Sequence, residues 1–279
     1  MLRAVSDTVR YDLHGAVATL TLHRPDRLNA ITEELAGDFR AALDEAEADD
    51  AVRVIRLKGA GRAFCAGYDI EWGAQAMRDD GATWDAMADY RMISRFVDTY
   101  MRLWRSPKPV IAQVHGFCVG GGTDFALCSD QIVCADDARI GYPPARVWGS
   151  PTTAMWLYRV GLERAKRLLL TGDALDGKTA VSYGLAIESH PEVELEGKAM
   201  ELASRIAKLP ASQLQMMKLL VNQAIEQMGL HTTQLIGTLL DGAARHTPEG
   251  AAFTQAAAQD VRAAVARRDA PFGDYGQQP

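Results

Sequence analysis

Hydrophobic and polar residues alternate near the start of the chain, which is the pattern of a half-buried strand. Residues 9–13 are apolar at every second position, His14-Gly15 is a turn sequence, and residues 17–22 are mostly apolar or β-branched. The pattern predicts a β-hairpin that ends before Arg24-Pro25-Asp26.

The apolar spacing changes to that of a helix after Thr32, a residue suited to cap a helix N-terminus. Four apolar residues recur at about the interval of one helical turn: Ile31, Leu35, Phe39 and Leu43. Beyond this helix the patterns predict strands at residues 52–58, 109–114 and 131–135, a helix at 91–104, and an irregular segment at 69–90. Strands and helices therefore alternate, which indicates an α/β core.

Strand patterns stop near Glu192, and the rest of the chain has helical spacing. Helices are predicted at residues 194–208, 211–229 and 232–244, and a last helix begins at Thr247-Pro248-Glu249, where a capping threonine precedes a proline. We therefore expect an α/β part over residues 1–192 and a helical part over residues 193–279.

The composition is that of a globular protein and argues against several classes of function. Of the 279 residues, 48% are hydrophobic and 24% are charged. No run approaches the roughly 18 apolar residues of a membrane helix, and the N-terminus lacks the apolar core of a secretory signal. The net charge of −6, with no long basic run, argues against nucleic-acid binding.

The four cysteines are Cys65, Cys118, Cys128 and Cys134. They form no Cys-x-x-Cys pair, and no histidine pair lies near them at zinc-binding spacing. We therefore predict no metal site, reduced thiols packed as small hydrophobic side chains, and a cytoplasmic location.

Residues 172–179, with the sequence GDALDGKT, match the phosphate-binding pattern G-x-x-x-x-G-K-[ST]. A phosphate loop of this kind follows a strand, whereas residues 164–170 (RAKRLLL) have a helical pattern. Asp173 and Asp176 would also face the phosphates that the loop should hold. The segment is therefore predicted to be a helix end, a turn and a new helix rather than a nucleotide site.

A second glycine-rich segment, residues 116–123 (GFCVGGGT), follows a predicted strand and opens a predicted helix. Its N–H groups can face a negative charge, but Gly122 stands where a phosphate loop has its lysine, so a smaller, transient anion fits better. About fifty residues earlier, residues 62–70 (RAFCAGYDI) form a turn after another strand. In this order the two segments resemble the signature loops of the crotonase (enoyl-CoA hydratase/isomerase) superfamily.

Other segments resemble the family in the same order: RPDRLNA at 24–30, SPKPVIA at 106–112, LTGD at 170–173 and YGLA at 183–186. The resemblance implies a crotonase-type spiral core of repeated ββα units, a C-terminal helical region, and homotrimers that can pair into hexamers. It also implies an acyl-CoA thioester as substrate, with coenzyme A as part of that substrate and no separate cofactor.

The resemblance also implies roles for individual residues. The backbone N–H groups of Tyr68 and Gly121 would stabilise the thioester enolate, each such donor being worth about 3 kcal/mol, and Asp124 would carry the proton. Coenzyme A would lie along Arg27, Leu28, Arg62, Ala63 and Ala66, with Arg267 or Arg268 reaching the coenzyme A of a neighbouring subunit. Trp72, Tyr142, Pro144 and Trp148 would line the acyl pocket, with Arg146 as a further pocket residue.

The sequence departs from the two-glutamate pattern of the family's hydratases. Asp124 keeps the first carboxylate, but Pro144 occupies the position of the second, and proline can neither give nor take a proton. We therefore expect hydration to be slower than in a two-glutamate relative by roughly 10²–10⁴-fold.

Three interpretations remain open at this point. Hydration could use a second acid from elsewhere, such as Asp69 or Glu71, although either residue could instead cap a helix. Double-bond isomerisation or related enolate chemistry could use Asp124 alone. The third interpretation is a protein that binds acyl-CoA without catalysis.

Overall fold

A computed structural model of the chain describes residues 2–4, 6–73, 85–273 and 275. A seven-stranded sheet forms its centre, with the strand order β1-β2-β3-β4-β6-β8-β11. Its strands are β1 (Leu2–Ala4), β2 (Val9–His14), β3 (Val17–Leu22), β4 (Val54–Gly59), β6 (Val110–Val114), β8 (Gln131–Ala135) and β11 (Glu188–His190). The predicted hairpin is confirmed as β2 and β3, and the strands from β3 to β11 pair in parallel.

A second, four-stranded sheet has the order β10-β9-β7-β5. Its strands are β5 (Ala63–Cys65), β7 (Phe117–Val119), β9 (Arg139–Gly141) and β10 (Ala174–Leu175). Along the chain β4, β6 and β8 of the large sheet are each followed by a strand of the small sheet, which confirms the expected spiral of ββα units. The hydrophobic pattern does not predict these strands because each has at most three residues, too few to show alternation.

The helices surround the two sheets and make up the C-terminal third. They are α1 (Glu33–Ala48), α2 (Ala86–Arg105), α3 (Gly121–Leu127), α4 (Met155–Val160), α5 (Leu162–Thr171), α6 (Gly177–Ser182), α7 (Glu192–Ile206), α8 (Ala211–Gln227), α9 (Leu230–Ala244), α10 (Pro248–Ala257) and α11 (Val261–Asp269). Short 3-10 helices span Pro25–Arg27 and Pro143–Arg146. No helix among the described residues is both long and apolar enough to cross a membrane.

The predicted stripe of α1 is confirmed. Leu35, Phe39 and Leu43 are fully buried, and the Thr32 hydroxyl accepts the Leu35 N–H at 3.2 Å as the N-cap. The Phe39 ring meets Phe125 of α3 edge to face at 4.8 Å between centroids. This packing ties α1 to the short helix that follows the second signature loop.

Two predictions about helices are wrong. Residues 86–90 are the first turns of α2, capped by Asp85, and not an irregular segment; residues 74–84 of that prediction lie outside the described residues. A further helix, α11, follows the one predicted to be last. Its alanine-rich sequence gives the hydrophobic pattern little contrast.

The C-terminal helices pack on the α/β part at several places. α7 lies against β4, β6, β8 and β11, α9 packs on α2, and α10 pairs with α11. The last strand ends at His190 and α7 begins at Glu192, so the change from strands to helices falls close to the predicted position. The division into two parts at residue 192 stays a prediction, because α7 itself covers the large sheet.

Candidate active site

The first signature loop follows β5 and turns the N–H group of Tyr68 away from Ile31. Ile31 N–H donates to the Gly67 carbonyl at 2.8 Å, and Asp69 N–H donates to the Ile31 carbonyl at 2.9 Å. Successive N–H groups along an extended segment point to opposite sides. The Tyr68 N–H therefore points away from Ile31, and no residue that the structure describes accepts it.

The second signature loop brings the N–H of Gly121 to the same place. Gly120 has a φ of 55°, and α3 begins at Gly121, whose N–H cannot have a partner inside its own helix. A Cβ atom on Gly67 would lie 2.9 Å from the Val119 carbonyl oxygen and 3.3 Å from Gly121 N. The loops approach this closely because glycine occupies position 67, where φ is 87°.

The side chain of Tyr68 lies over Gly121. A Cβ atom on Gly121 would be 2.8 Å from Tyr68 Cε2. The rings of Tyr68 and Trp72 both meet Phe96 edge to face, at 5.1 Å and 6.0 Å between centroids. Burial, with a smaller effect of the Asp124 charge, raises the pKa of the Tyr68 phenol, so this wall of aromatic rings is uncharged.

Asp124 lies in the first turn of α3 and is 2% exposed. Its Oδ1 atom accepts the hydroxyl proton of Thr153 at 2.5 Å. Burial raises the pKa of Asp124 to about 7, the Thr153 hydrogen bond opposes this shift, and the charge of Asp241 adds to it. The carboxylic acid and the carboxylate are therefore both accessible near neutral pH, which suits a group that takes up and returns a proton.

Pro144 lies beside the second signature loop. A Cβ atom on Gly120 would lie 3.4 Å from Pro144 Cγ. Tyr142, 6% exposed, donates its hydroxyl proton to the Ser150 carbonyl at 2.7 Å. Trp148 packs against Phe253 of α10, so the C-terminal helices of the same chain close over this segment.

The turn predicted to contact coenzyme A is fastened to the first signature loop by Asn29. The Asn29 side-chain amide donates to the carbonyls of Ala60 and Ala63 at 2.9 Å and 2.8 Å. Ala66 N–H donates to the carbonyl of Leu28, which has a left-handed φ of 51°. The structure thus brings Leu28, Ala63 and Ala66 together.

The predicted arginine contacts have partners within the chain or lie at the surface. Arg27 is ion-paired with Glu71 at 2.8 Å, and both side chains are more than half exposed. Arg62 and Arg267 are exposed, whereas Arg268 is 9% exposed and holds Asp269 with two hydrogen bonds. Their contacts with coenzyme A stay predictions.

Three side chains discussed above have structural partners that explain their positions. Asp69 pairs with Arg24 at 3.0 Å and accepts the Trp72 N–H, so it caps the helical turn at residues 70–73. Arg146 is buried beneath α11, where it pairs with Asp269 at 3.1 Å. Asp69, Glu71 and Arg146 thus take part in ion pairs.

Sequence reasoning missed two residues of this site. Thr153 holds Asp124, and Asp241 of α9 is 6% exposed beside the segment that carries Pro144. A carboxylate within the apolar stretch LIGTLLDG of α9 is a signal that could have drawn attention to Asp241, because such a group is costly to bury without partners.

At residues 172–179 the predicted helix end and new helix are confirmed, but the two-residue strand β10 (Ala174–Leu175) lies between them where the sequence predicts only a turn. α5 ends at Thr171, and Gly172 takes the left-handed C-cap conformation with a φ of 68°. Asp176 accepts the Thr179 N–H at 2.7 Å and so caps α6, while Lys178 pairs with Asp136 at 3.5 Å.

We therefore expect calorimetric titration to show acyl-CoA binding and no ATP binding, because the N–H groups of Gly172, Gly177 and Thr179 already have acceptors within the chain. Lys178→Ala should leave acyl-CoA affinity unchanged. Tight ATP binding that disappears in Lys178→Ala, without acyl-CoA binding, would contradict this interpretation.

The chain is similar to known proteins along most of its length. Residues 12–246 match the family model for enoyl-CoA hydratase/isomerase. A crystal structure of an enoyl-CoA hydratase from Mycobacterium smegmatis superposes with a TM-score of 0.91 at 43% identity, covering 96% of this chain and 95% of that one. An enoyl-CoA hydratase/isomerase from Xanthobacter autotrophicus Py2 gives a TM-score of 0.88 at 31% identity, covering 95% and 98%.

Among curated proteins, the 1,2-epoxyphenylacetyl-CoA isomerase of Escherichia coli K12 is 34% identical over 212 residues, which is 75% of this chain and 79% of that protein. Fold, signature loops and similarity thus define an enzyme class that acts on acyl-CoA thioesters. The chain belongs to the enoyl-CoA hydratase/isomerase family of the crotonase superfamily.

Proposed function

We propose that this protein binds an acyl-CoA thioester, stabilises its enolate with the N–H groups of Tyr68 and Gly121, and moves the α proton with Asp124. One observation carries the proposal. The N–H groups of Tyr68 and Gly121 have no acceptors among the described residues and lie on two loops in contact with each other. Asp124, a buried carboxylate with a pKa of about 7, lies in the helix α3 that begins at Gly121.

The proposed chemistry depends on the negative charge that develops on the thioester oxygen. When the α proton leaves, negative charge moves to the thioester oxygen, and donors already aimed at that oxygen stabilise the enolate more than the substrate. Asp124 provides the base, and its conjugate acid can return the proton to the α carbon or to a neighbouring carbon of an unsaturated chain. Proton exchange at the α carbon is therefore the step common to every reaction considered for this site.

The overall reaction that we favour is hydratase-like, as in the Mycobacterium smegmatis relative. Double-bond isomerisation is the alternative, because Pro144 leaves Asp124 as the one carboxylate among the predicted site residues. The similar Escherichia coli protein is named for the isomerisation of an epoxyacyl-CoA, which supports acyl-CoA chemistry other than hydration but not double-bond migration in particular. Acyl-CoA binding without catalysis is the third candidate.

Coenzyme A is part of the substrate, so the proposal requires no separate cofactor. We place the coenzyme A along the turn that the Asn29 side chain holds. An exposed apolar surface supports the proposed trimer or hexamer. It comprises Met216, Met217, Leu219, Leu220 and Val221 of α8 with Leu235, Ile236, Leu239 and Leu240 of α9. The four cysteines are free and buried, which supports the proposed cytoplasmic location.

The proposal is tested by following butyryl-CoA in deuterium oxide with mass spectrometry. We expect deuterium to enter the α position, because this exchange needs only the two donors and one base. Crotonyl-CoA hydration and 3-enoyl-CoA isomerisation, measured with the same preparation, distinguish the overall reactions. Acyl-CoA binding without exchange, hydration or isomerisation would favour the non-catalytic candidate.

A further inference from the structure

We propose that Asp241 supplies the second carboxylate that Pro144 removes from the expected position, and that it takes the proton from water during hydration of an enoyl thioester. This inference rests on the proposed function and adds a catalytic residue to it. Its basis is the geometry of α9, which runs from the partner of Asp124 to the segment that carries Pro144.

Near its N-terminus, α9 is held in place relative to Asp124 by hydrogen bonds through Thr153. The Gln234 side chain donates to the Thr153 carbonyl at 3.0 Å, and the Thr153 hydroxyl donates to Asp124. Asp241 lies seven residues further along α9, roughly 10 Å away at the rise of an α-helix, and on the same face. Gln234 and Asp241 are 5% and 6% exposed, so this face is buried between α9 and the core.

The other end of this face meets the residue that replaces the glutamate. A Cβ atom on Gly149 would lie 3.0 Å from Pro144 Cβ, 3.5 Å from the Tyr142 hydroxyl and 3.6 Å from Asp241 Oδ1. These three groups therefore border one small space. Pro144 also lies next to Gly120 of the second signature loop. The Pro144 ring therefore lies between that loop and the Asp241 carboxylate.

The Asp241 carboxylate is held in place from two sides. Its Oδ1 atom accepts the Ser150 N–H at 3.0 Å, and its Oδ2 atom accepts from Arg245 at 3.0 Å. The Arg245 guanidinium lies over the Trp148 ring at 5.3 Å, and its buried Nε has no acceptor among the described residues. A buried donor without a partner is costly, so a water or substrate oxygen here would be stabilised.

The negative charge of Asp241 affects the pKa values of two neighbouring groups. It contributes to the raised pKa of Asp124 after the larger effect of burial, and it does the same for Tyr142. The Asp241 carboxylate thus borders the position of the missing glutamate and is close enough to Asp124 for its charge to act there.

Hydration by this arrangement takes place in two proton transfers. The water oxygen bonds to the β carbon while Asp241 takes one water proton, and the double-bond electrons move to the thioester oxygen as an enolate. Protonated Asp124 then gives its proton to the α carbon, and the enolate electrons form the new C–H bond. A proton passes from Asp241 to Asp124 through solvent, so that one water is added and nothing is oxidised or reduced.

The test uses the full-length chain and two readouts, crotonyl-CoA hydration and α-deuterium exchange of butyryl-CoA. We expect the wild type to do both, and Asp241→Asn to lower kcat for hydration by roughly 10²–10⁴-fold. Exchange should persist in this variant, with its pH transition moved to lower pH because Asp124 loses a charge that helps to raise its pKa. Adding Pro144→Glu to Asp241→Asn should restore hydration, because it returns a carboxylate to the motif position. A purely structural role for Asp241 predicts no such rescue.

Asp241→Asn leaves Arg245 buried without its partner, which can destabilise the fold. If that variant does not fold, the double variant Asp241→Asn/Arg245→Met removes both charges and is subject to the same expectations. The inference is overturned if either folded variant hydrates like the wild type, if Pro144→Glu gives no rescue, or if the wild type exchanges protons but does not hydrate. A wild type that does neither overturns the proposed function, and the inference with it.

Discussion

Replacing Asp124 with asparagine should lower α-deuterium exchange, and any isomerisation or hydration, by roughly 10²–10⁴-fold. The amide has nearly the size of the carboxylate and can still accept the Thr153 hydroxyl proton, but it cannot take up a proton. Acyl-CoA affinity should change little, because the two N–H donors and the coenzyme A turn are intact. Exchange that survives in Asp124→Asn would remove this residue from the mechanism.

The pH dependence of the wild-type exchange and hydration rates should reflect the titration of Asp124. Exchange requires the carboxylate, so its rate should rise with pH and level off above about 7, the pKa of Asp124. Hydration by the proposed step requires the protonated acid, so its rate should fall through the same range. Asp124→Asn should abolish both transitions.

The stability of the Asp124→Asn variant provides the control for folding. Between the unfolded pKa of about 4 and the folded pKa of about 7, the folded wild type binds more protons, so its stability falls as pH rises through that window. Asparagine has no such dependence. We therefore expect the variant to be more stable than the wild type at pH 8, by as much as about 4 kcal/mol, as thermal or urea unfolding would measure.

Replacing Gly121 with proline should lower turnover by roughly 10²–10³-fold, because it removes one donor to the enolate oxygen. The fold should survive, since position 121 is the first residue of α3, where proline fits and no intrahelical N–H is needed. The preceding Gly120 tolerates the restriction that proline imposes on its neighbour.

Gly121→Ala is the matched control for this variant. Its Cβ atom meets Tyr68 Cε2 at 2.8 Å, and the proline ring would bring the same crowding, but the alanine N–H remains. The comparison between the two variants therefore isolates the donor. A proline variant with native circular dichroism and the turnover of the alanine variant would show that Gly121 N–H does not stabilise the enolate.

The sequence by itself determined the parts of this protein that depend on local pattern. The hairpin β2–β3 and the helix α1 follow from apolar spacing, and Thr32 marks where α1 begins. The helical run before residue 172 predicts a helix that ends there, which the structure confirms. A helix in place of the strand that precedes a phosphate loop argues against a nucleotide site. The glycines of the two signature loops carry the resemblance to the family, and that resemblance gives the positions of the proposed donors, Tyr68 and Gly121.

Only the tertiary structure decided which side chains bind Asp124 or act on it through their charge. Thr153 is 29 residues from it in sequence, and Asp241 reaches Ser150 across 91 residues. Neither separation along the chain leaves a periodic signal in the sequence. The contacts depend on how α9 crosses the core and not on the sequence around each residue. The raised pKa of Asp124 is also a tertiary property, since it comes first from burial, which the whole fold imposes.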